Sequence, residues 1–293
     1  MAAARVEVAV EGRRLSLSNL EKVMYPAVGF TKGHVIDYYT RIAPAVLPHL
    51  RNRPLTLKRY PNGVESQYFY EKRCPSHAPE WVRREQVEQI EYCVCEELAT
   101  LVWLANLADL ELHPSLSLVD DILRPTVMAF DLDPGPGAGL AECCEVAFLL
   151  RDALSQLNLE SFAKTSGSKG IQLYVPLNTE DVDYDHGTKP LSKALARHLE
   201  SQHPELIVSQ QKKELRAGKV LIDWSQNDEH KTTVGVYSLR ARERPTVSTP
   251  LAWEELDDPD SLVFEAADVL ARVEQHGDLF APVVELKQEL PDL

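Results

Sequence analysis

The chain opens on strict alternation. In "RVEVAV" and "RLSLSN" apolar and polar residues take turns, which predicts two half-buried strands joined as a hairpin at Glu11-Gly12. The period then changes. "TKGHVIDYYTRIAPAVLPHL" brings Val35, Tyr38, Tyr39, Ile42 and Val46 near one helical face, with Thr31 placed to cap its start. "RPLTLKRYP", "SQYFYEKR" and "IEYCVCE" read as strands, and "ELATLVWLANLADLEL" as an apolar helix running into a short strand that ends near His113. "PTVMAFDLDP" is mostly apolar, the pattern of a strand in the interior of a sheet. A helix over 140–157, a strand-loop-strand in "SFAKTSGSKGIQLYVPL" and a helix in "KPLSKALARHLESQHP" follow. Strands in "KVLIDWSQN" and "TTVGVYSLRAR" come next, then short acidic helices from 250. Helices mixed with hairpins predict an α+β fold, with an N-terminal α/β subdomain over 1–110 and a sheet subdomain over 111–293. No repeat, low-complexity tract or long linker interrupts the order.

Composition narrows the class. With 293 residues, 44% of them hydrophobic, the chain can bury a sizeable core. The net charge of −14 counts against a protein that coats DNA over its whole surface, but a local basic groove remains compatible with it. No run approaches the roughly 18 uncharged apolar residues of a membrane span, and residues 1–30 show no signal-peptide pattern. The expectation is a cytoplasmic protein without a membrane partner. Five cysteines, an odd number, suggest thiols in a reducing compartment. Zinc is disfavoured. The C-x-C spacing of Cys93 and Cys95 is poor for a zinc hairpin, Cys74 and His77 stand apart from them, and Cys143 and Cys144 read as core.

The candidate chemistry begins in "VMAFDLDPGPGAG". Asp131 and Asp133, at i and i+2 on a strand, face the same side at the mouth of a Gly/Pro loop. Two such carboxylates repel unless something neutralises them, and hard oxygen ligands suit Mg²⁺ or Mn²⁺. Asp223 ends the apolar run Val220-Leu221-Ile222 in the same way. Three strand-borne carboxylates could build a two-metal site for phosphoryl transfer. In "TSGSKGIQLYVPL", Ser166 to Gly170 form a small-residue loop whose backbone can approach an anion, with Lys169 adding charge. It lacks the spacing of a Walker A loop. Singly, each signal has a plain alternative: a solvated pair, a turn-forming Asp, a polar hairpin turn.

Together the motifs resemble a known family. From about residue 15 to 255, "NLEKVMYPAVGFTK", "YYTRIAPAVLPHL", "RPLTLKRYPNGV", "FYEK", "FDLDPGPG", "TSGSKGIQLYVPL", "IDWSQN" and "YSLRAR" follow the order seen in the polymerase domain of bacterial ligase D. That domain belongs to the archaeo-eukaryotic primase superfamily and serves non-homologous end joining. The resemblance implies a primase-polymerase core with an RRM-like sheet and an N-terminal α/β subdomain. It implies that Asp131, Asp133 and Asp223 bind two ions, Mn²⁺ or Mg²⁺, with His113 beside them. It assigns Ser166, Lys169, Lys231 and Arg240 to the nucleotide pocket, Phe69 to base stacking with Tyr70 adjoining, and Lys58 and Arg59 to a basic strand. Asn19, Lys22 and Lys32 match a pocket for a 5′-phosphate on DNA. A phosphodianion wants two cations and a neutral donor, and these supply them.

One position departs from the family. Its usual S-G-S/G-K-G-L-H ends in a histidine that contacts nucleotide phosphates, and Gln172 stands there in this chain. Glutamine can donate a hydrogen bond but cannot become cationic, so weaker triphosphate binding is expected. The resemblance implies template-directed nucleotidyl transfer that fills short gaps or extends ends, with Mn²⁺ and ribonucleotides preferred. Gapped or broken DNA with a 5′-phosphate and nucleoside triphosphates are the expected partners. Neither a K-x-D-G ligase motif nor a nuclease cluster is present, so a stand-alone domain is expected, working in the bacterial nucleoid beside a separate ligase and Ku. Two other readings compete. One is a 5′-phosphate end-binding module that recruits a ligase, with Gln172 marking decayed catalysis. The other is a primase that starts chains de novo, which an assay without primer would separate.

Overall fold

The computed structural model describes residues 5–291. The chain divides into two compact units. One runs to Pro114 and takes in Val234–Ser248 and Phe264–Asp278; the other comprises Ser115–Thr233, Thr249–Val263 and the chain from Leu279 onward.

In the first unit, strands β1 (Arg5–Val10) and β2 (Arg13–Ser18) form the expected hairpin. Its turn residues Glu11 and Gly12 both have positive φ, as a tight two-residue hairpin requires. Short strands β3 (Val23–Tyr25) and β4 (Phe30–Thr31) pair and lead into helix α1 (Lys32–Leu50). Thr31 caps that helix: its hydroxyl accepts from His34 N, and His34 Nδ1 accepts from Thr31 N at 2.9 Å. The face carrying Val35, Tyr38, Tyr39, Ile42 and Val46 is buried. Strands β5 (Leu55–Arg59), β6 (Phe69–Glu71), β7 (Arg84–Val87) and β8 (Ile90–Cys93) build a sheet in the order β6-β5-β8-β7. The apolar helix α2 (Leu98–Asn106) delivers strand β9 (Asp109–Pro114), which pairs with β5 and is buried along its whole length.

In the second unit, β10 (Ser117–Leu118) and β11 (Asp121–Pro125) precede the long strand β12 (Val127–Pro134). Helix α3 (Leu140–Gln156) follows, then β13 (Phe162–Thr165), β14 (Ile171–Pro176), helix α4 (Lys189–Gln202), β15 (Ile207–Val208), β16 (Val220–Asp223) and β17 (Pro250–Leu251). Six of these strands form one sheet in the order β15-β16-β12-β14-β13-β17, antiparallel except for the β15–β16 pair. Both α3 and α4 pack on β12, and Val127 to Phe130 are fully buried, which explains the near-continuous apolar run. Helix α5 (Ala266–His276) belongs to the first unit and α6 (Pro282–Glu285) to the second. The architecture is the mixed α+β class that the sequence pattern predicts.

Two expectations are corrected. "TTVGVYSLRAR" forms no regular strand. Tyr237 lies in the left-handed region at φ +63°, and Ser238 N turns back to Gly235 O, so the extension breaks in the middle of the run. Only isolated bridges at Thr232 and Leu239 remain. The cysteines are not all thiols either: Cys74 and Cys93 are joined by a disulfide, while Cys95, Cys143 and Cys144 are free and buried. The bond lies inside the sheet-forming segment, where Cys74 N also donates to Glu91 O. Among the described residues, no helix is long and apolar enough to cross a membrane.

Candidate functional site

The second unit gathers its chemistry in one row across the six-stranded sheet. Residues in register on neighbouring strands share a face. Asp131 on β12 sits opposite Asp223 on β16 and opposite Gln172 on β14, and Gln172 sits opposite Lys164 on β13. Lys164–Gln172–Asp131–Asp223 is therefore a continuous polar line. Asp133 lies two residues beyond Asp131 on the same face.

Burial makes that line unusual. Asp131 Oδ1 is buried and has no hydrogen-bond partner among the described residues. Burial and the neighbouring Asp133 push the Asp131 carboxyl up to about 7, opposed by a hydrogen bond from the Gln172 side chain. Asp223 is tied differently. Its Oδ1 accepts from Ser225 N (2.9 Å) and Ser225 Oγ (2.7 Å), and its Oδ2 accepts from Gln226 Nε2 (2.8 Å), so it caps the turn that follows β16. Lys231 is exposed, with Nζ 3.4 Å from Ser225 Oγ.

The donor set suits a hard divalent cation. Asp131 and Asp133 offer carboxylate oxygens on one face, and the orphaned Oδ1 is a buried acceptor short of a cation. Among the described residues, no three His, Cys, Asp or Glu side chains already stand grouped tightly enough to enclose an ion. The cap on Asp223 accounts for its engagement elsewhere.

The loop between β13 and β14 is closed on itself. Ser166 N donates to Gly170 O, and Ser166 Oγ accepts from Ser168 N (3.3 Å) and Gly170 N (3.1 Å). Lys169 is exposed. Gly170 is required by close approach, because a Cβ there would meet Leu132 O at 2.2 Å. Gln172 is 3% exposed, so its amide serves the sheet interior.

The first unit holds a second cluster, centred on a residue that sequence reasoning missed. Glu111 on β9 is buried and faces Lys58 on β5 in register, with Lys58 Nζ 3.2 Å from both carboxylate oxygens. His113 Nε2 (3.1 Å) and Arg240 Nε (3.4 Å) approach Oε2, while Tyr60 OH and Ala241 N donate to Oε1 at 3.1 Å each. Burial alone would raise the Glu111 carboxyl, but the His113 hydrogen bond, Arg240 and Lys58 hold it well below the usual range. An ionised carboxylate only accepts, so His113 carries its proton on Nε2. Burial lowers both His113 and Lys58, partly offset by Glu111. Lys58 Nζ also lies over the rings of Tyr68 (4.6 Å), Tyr60 (5.4 Å) and Tyr70 (5.5 Å). Tyr70 stands edge-on to His113. Phe69 is half exposed and belongs to the opposite face of β6, under Arg59. Thus Lys58, Tyr70, His113 and Arg240 come together, and Phe69 does not join them. The strand pattern D-L-E-L-H carried the missed signal: Asp109, Glu111 and His113 alternate with leucines on one face.

The third group also lies in the first unit. Asn19 takes a left-handed turn at φ +55°, and its O accepts from Lys22 N. Lys22 Nζ donates to Pro61 O (2.5 Å) and Asn62 Oδ1 (2.9 Å). Lys32 is buried, and its Nζ donates to Ser18 O at 2.6 Å. Burial, then the charges of Lys22 and Arg59, bring Lys32 down to about 8. A pocket of about 560 Å³ is lined by Val6, Asn19, Leu20, Glu21 and Lys22.

Comparison with known proteins fits this picture. Residues 31–280 match the model of the LigD primase-polymerase domain. The chain is 42% identical over 276 residues to the multifunctional non-homologous end joining protein LigD of Mycolicibacterium smegmatis, covering 92% of this chain and 36% of that protein. It is 32% identical over 279 residues to the bifunctional LigD of Bacillus subtilis, covering 95% of this chain and 45% of the other. The chain thus spans less than half the length of these relatives. Among solved structures, the polymerase domain of Mycobacterium tuberculosis ligase D in complex with DNA superposes with a TM-score of 0.88 at 39% identity, covering 95% of this chain and 99% of that one.

Proposed function

Because the chain belongs to the LigD primase-polymerase domain family, a family of nucleotidyltransferases, we propose that it extends DNA 3′ ends across short gaps or from breaks, on DNA that carries a 5′-phosphate. The observation that carries the reading is Asp131: a half-buried carboxylate on a central strand, in register with Asp223, whose buried Oδ1 is left without a partner among the described residues. Asp131, Asp133 and Asp223 would hold two ions, Mn²⁺ or Mg²⁺, which when bound stabilise triphosphate charge and acidify an attacking hydroxyl. Asp223 joins them by giving up its cap on Ser225 and Gln226. Lys169 and Lys231, both exposed, are the cations of this unit suited to nucleotide phosphates.

In the first unit, Glu111 keeps Lys58, His113 and Arg240 in fixed orientation, and the exposed Phe69 and Tyr70 offer ring faces to bases. Lys22 and Lys32 favour an anion, since a bound phosphate relieves their mutual repulsion. We extend the reading to a preference for ribonucleotides, and to work beside a ligase and an end-binding Ku; the end-joining names of the relatives support the latter setting.

The test is primer extension on a short-gap DNA with a 5′-phosphate, in Mn²⁺, comparing ribonucleotides with deoxyribonucleotides. Extension by the native chain, and none by Asp131→Ala/Asp133→Ala, is the expected result. If both proteins bind the gap and neither extends it, the chain is an end-binding module.

A further inference from the structure

The polar row has a direction that its chemistry imposes. Lys164 is fully buried, and its Nζ donates to Gln172 Oε1. An ammonium only donates, so it fixes the oxygen end of the amide. The NH₂ end is then committed to the other side, where the hydrogen bond from Gln172 reaches Asp131. Since Asp131 Oδ1 has no partner, that bond falls on the second carboxylate oxygen. The three strands hold these residues in direct register, so the order donor, acceptor-donor, acceptor is set by the sheet itself.

From this geometry we infer that Lys164 and Gln172 are positioning residues: together they anchor one oxygen of Asp131 and leave Oδ1 as the oxygen that meets a divalent cation. The inference rests on the metal-binding reading of Asp131. Lys164 touches no reacting atom; it acts through the amide. Without it the amide is free to flip, and a flipped Gln172 would present its oxygen to a carboxylate. Gln172 is accordingly a spacer with one accepting and one donating end. A neutral imidazole has the same two ends, one on each nitrogen, whereas leucine has neither.

The experiment uses the full chain and two readouts. Mn²⁺ affinity is measured without nucleotide by electron paramagnetic resonance of the free ion, and the Gln172 side-chain amide is followed by ¹⁵N–¹H spectra of the metal-free protein. Lys164→Met is expected to weaken Mn²⁺ binding at least about tenfold, as losses behind a metal ligand do, and to speed solvent exchange of the Gln172 amide protons. Gln172→Leu is expected to weaken Mn²⁺ binding similarly, and Gln172→His to stay within about threefold of native. This second pair decides the matter if Lys164→Met does not fold. A native chain that binds Mn²⁺ better than Asp131→Asn, while Lys164→Met and Gln172→Leu bind as well as native, overturns the inference and spares the metal reading. A native chain no better than Asp131→Asn overturns the metal reading, and the purpose assigned to the row falls with it, even where the amide spectra still report the row intact.

Discussion

Glu111 and Asp131 are the same chemical group in similar settings, and they are treated in opposite ways. Glu111 is a buried carboxylate on β9, paired with β5, and Asp131 is a half-buried carboxylate with a buried Oδ1 on β12, between β14 and β16. Glu111 is surrounded by Lys58, His113, Arg240, a tyrosine hydroxyl and a backbone amide, and is held firmly ionised. Asp131 has one amide donor, two carboxylate neighbours and an unpartnered oxygen, and is pushed toward protonation. A carboxylate whose cations come from the protein is a finished structural anion. One left short of cations is, on the metal reading proposed above, the place for an external ion.

The sharpest way to break the comparison is at Asp131. Asp131→Ala should lower primer extension below roughly 1% of native without lowering the thermal melt, because the residue contributes chemistry while its ionised carboxylate costs stability in the metal-free chain. Glu111→Gln should do the reverse in kind. It strands Lys58, His113 and Arg240 in a buried site, and should cost about 3–5 kcal/mol in urea unfolding.

The pH dependence separates the pair next. In the metal-free chain Asp131 binds its proton at about 7 instead of 3.8, so the folded state holds more protons than the unfolded one between those values. Its contribution to stability therefore falls as pH rises through that window. Glu111 has a folded value below its ordinary 4.5, so its contribution is present above that pH and lost as the solution becomes more acid. Unfolding series should show Asp131→Asn flattening the upper window and Glu111→Gln flattening the acid limb. Mn²⁺ affinity should rise with pH through about 7, as the competing proton leaves.

The smallest effect is expected at Lys32. It loses its proton near pH 8, so a preference for 5′-phosphorylated over 5′-hydroxyl DNA should shrink between pH 7 and 9. Fluorescence anisotropy with the two DNAs measures it. A preference that stays constant over that range would remove Lys32 from the phosphate pocket.

How far the sequence revealed this depended on how local each cause is. The hairpin at Glu11-Gly12, helix α1 with its Thr31 cap and the apolar strand β12 follow from neighbouring residues, and the structure contains them. The break at Tyr237 depends on contacts such as the bond from its N to Ser248 O, which periodicity does not see. Lys164 carries no local signal of burial in its strand-loop-strand segment, and the structure buries it in register with Gln172. The Cys74–Cys93 bond was hidden by an odd cysteine count that reads as thiols. Asp131, Asp133 and Asp223 stood out because charge at the end of an apolar run is costly, whereas Glu111 hid in an ordinary polar alternation.

The Glu111 cluster also sets a timetable for synthesis. Lys58, Tyr60 and His113 leave the ribosome early, but Ala241 follows Glu111 by 130 residues and Arg240 comes just before it. Until that segment emerges, Glu111 has Lys58, Tyr60 and His113 but lacks Arg240 and the Ala241 amide, so burying it is only partly compensated. The first unit is thus a late folder despite containing the N-terminus, and its non-local pairing slows the final step. A nascent chain arrested before Arg240 should be open to protease around β9, and one arrested after α5 should resist it.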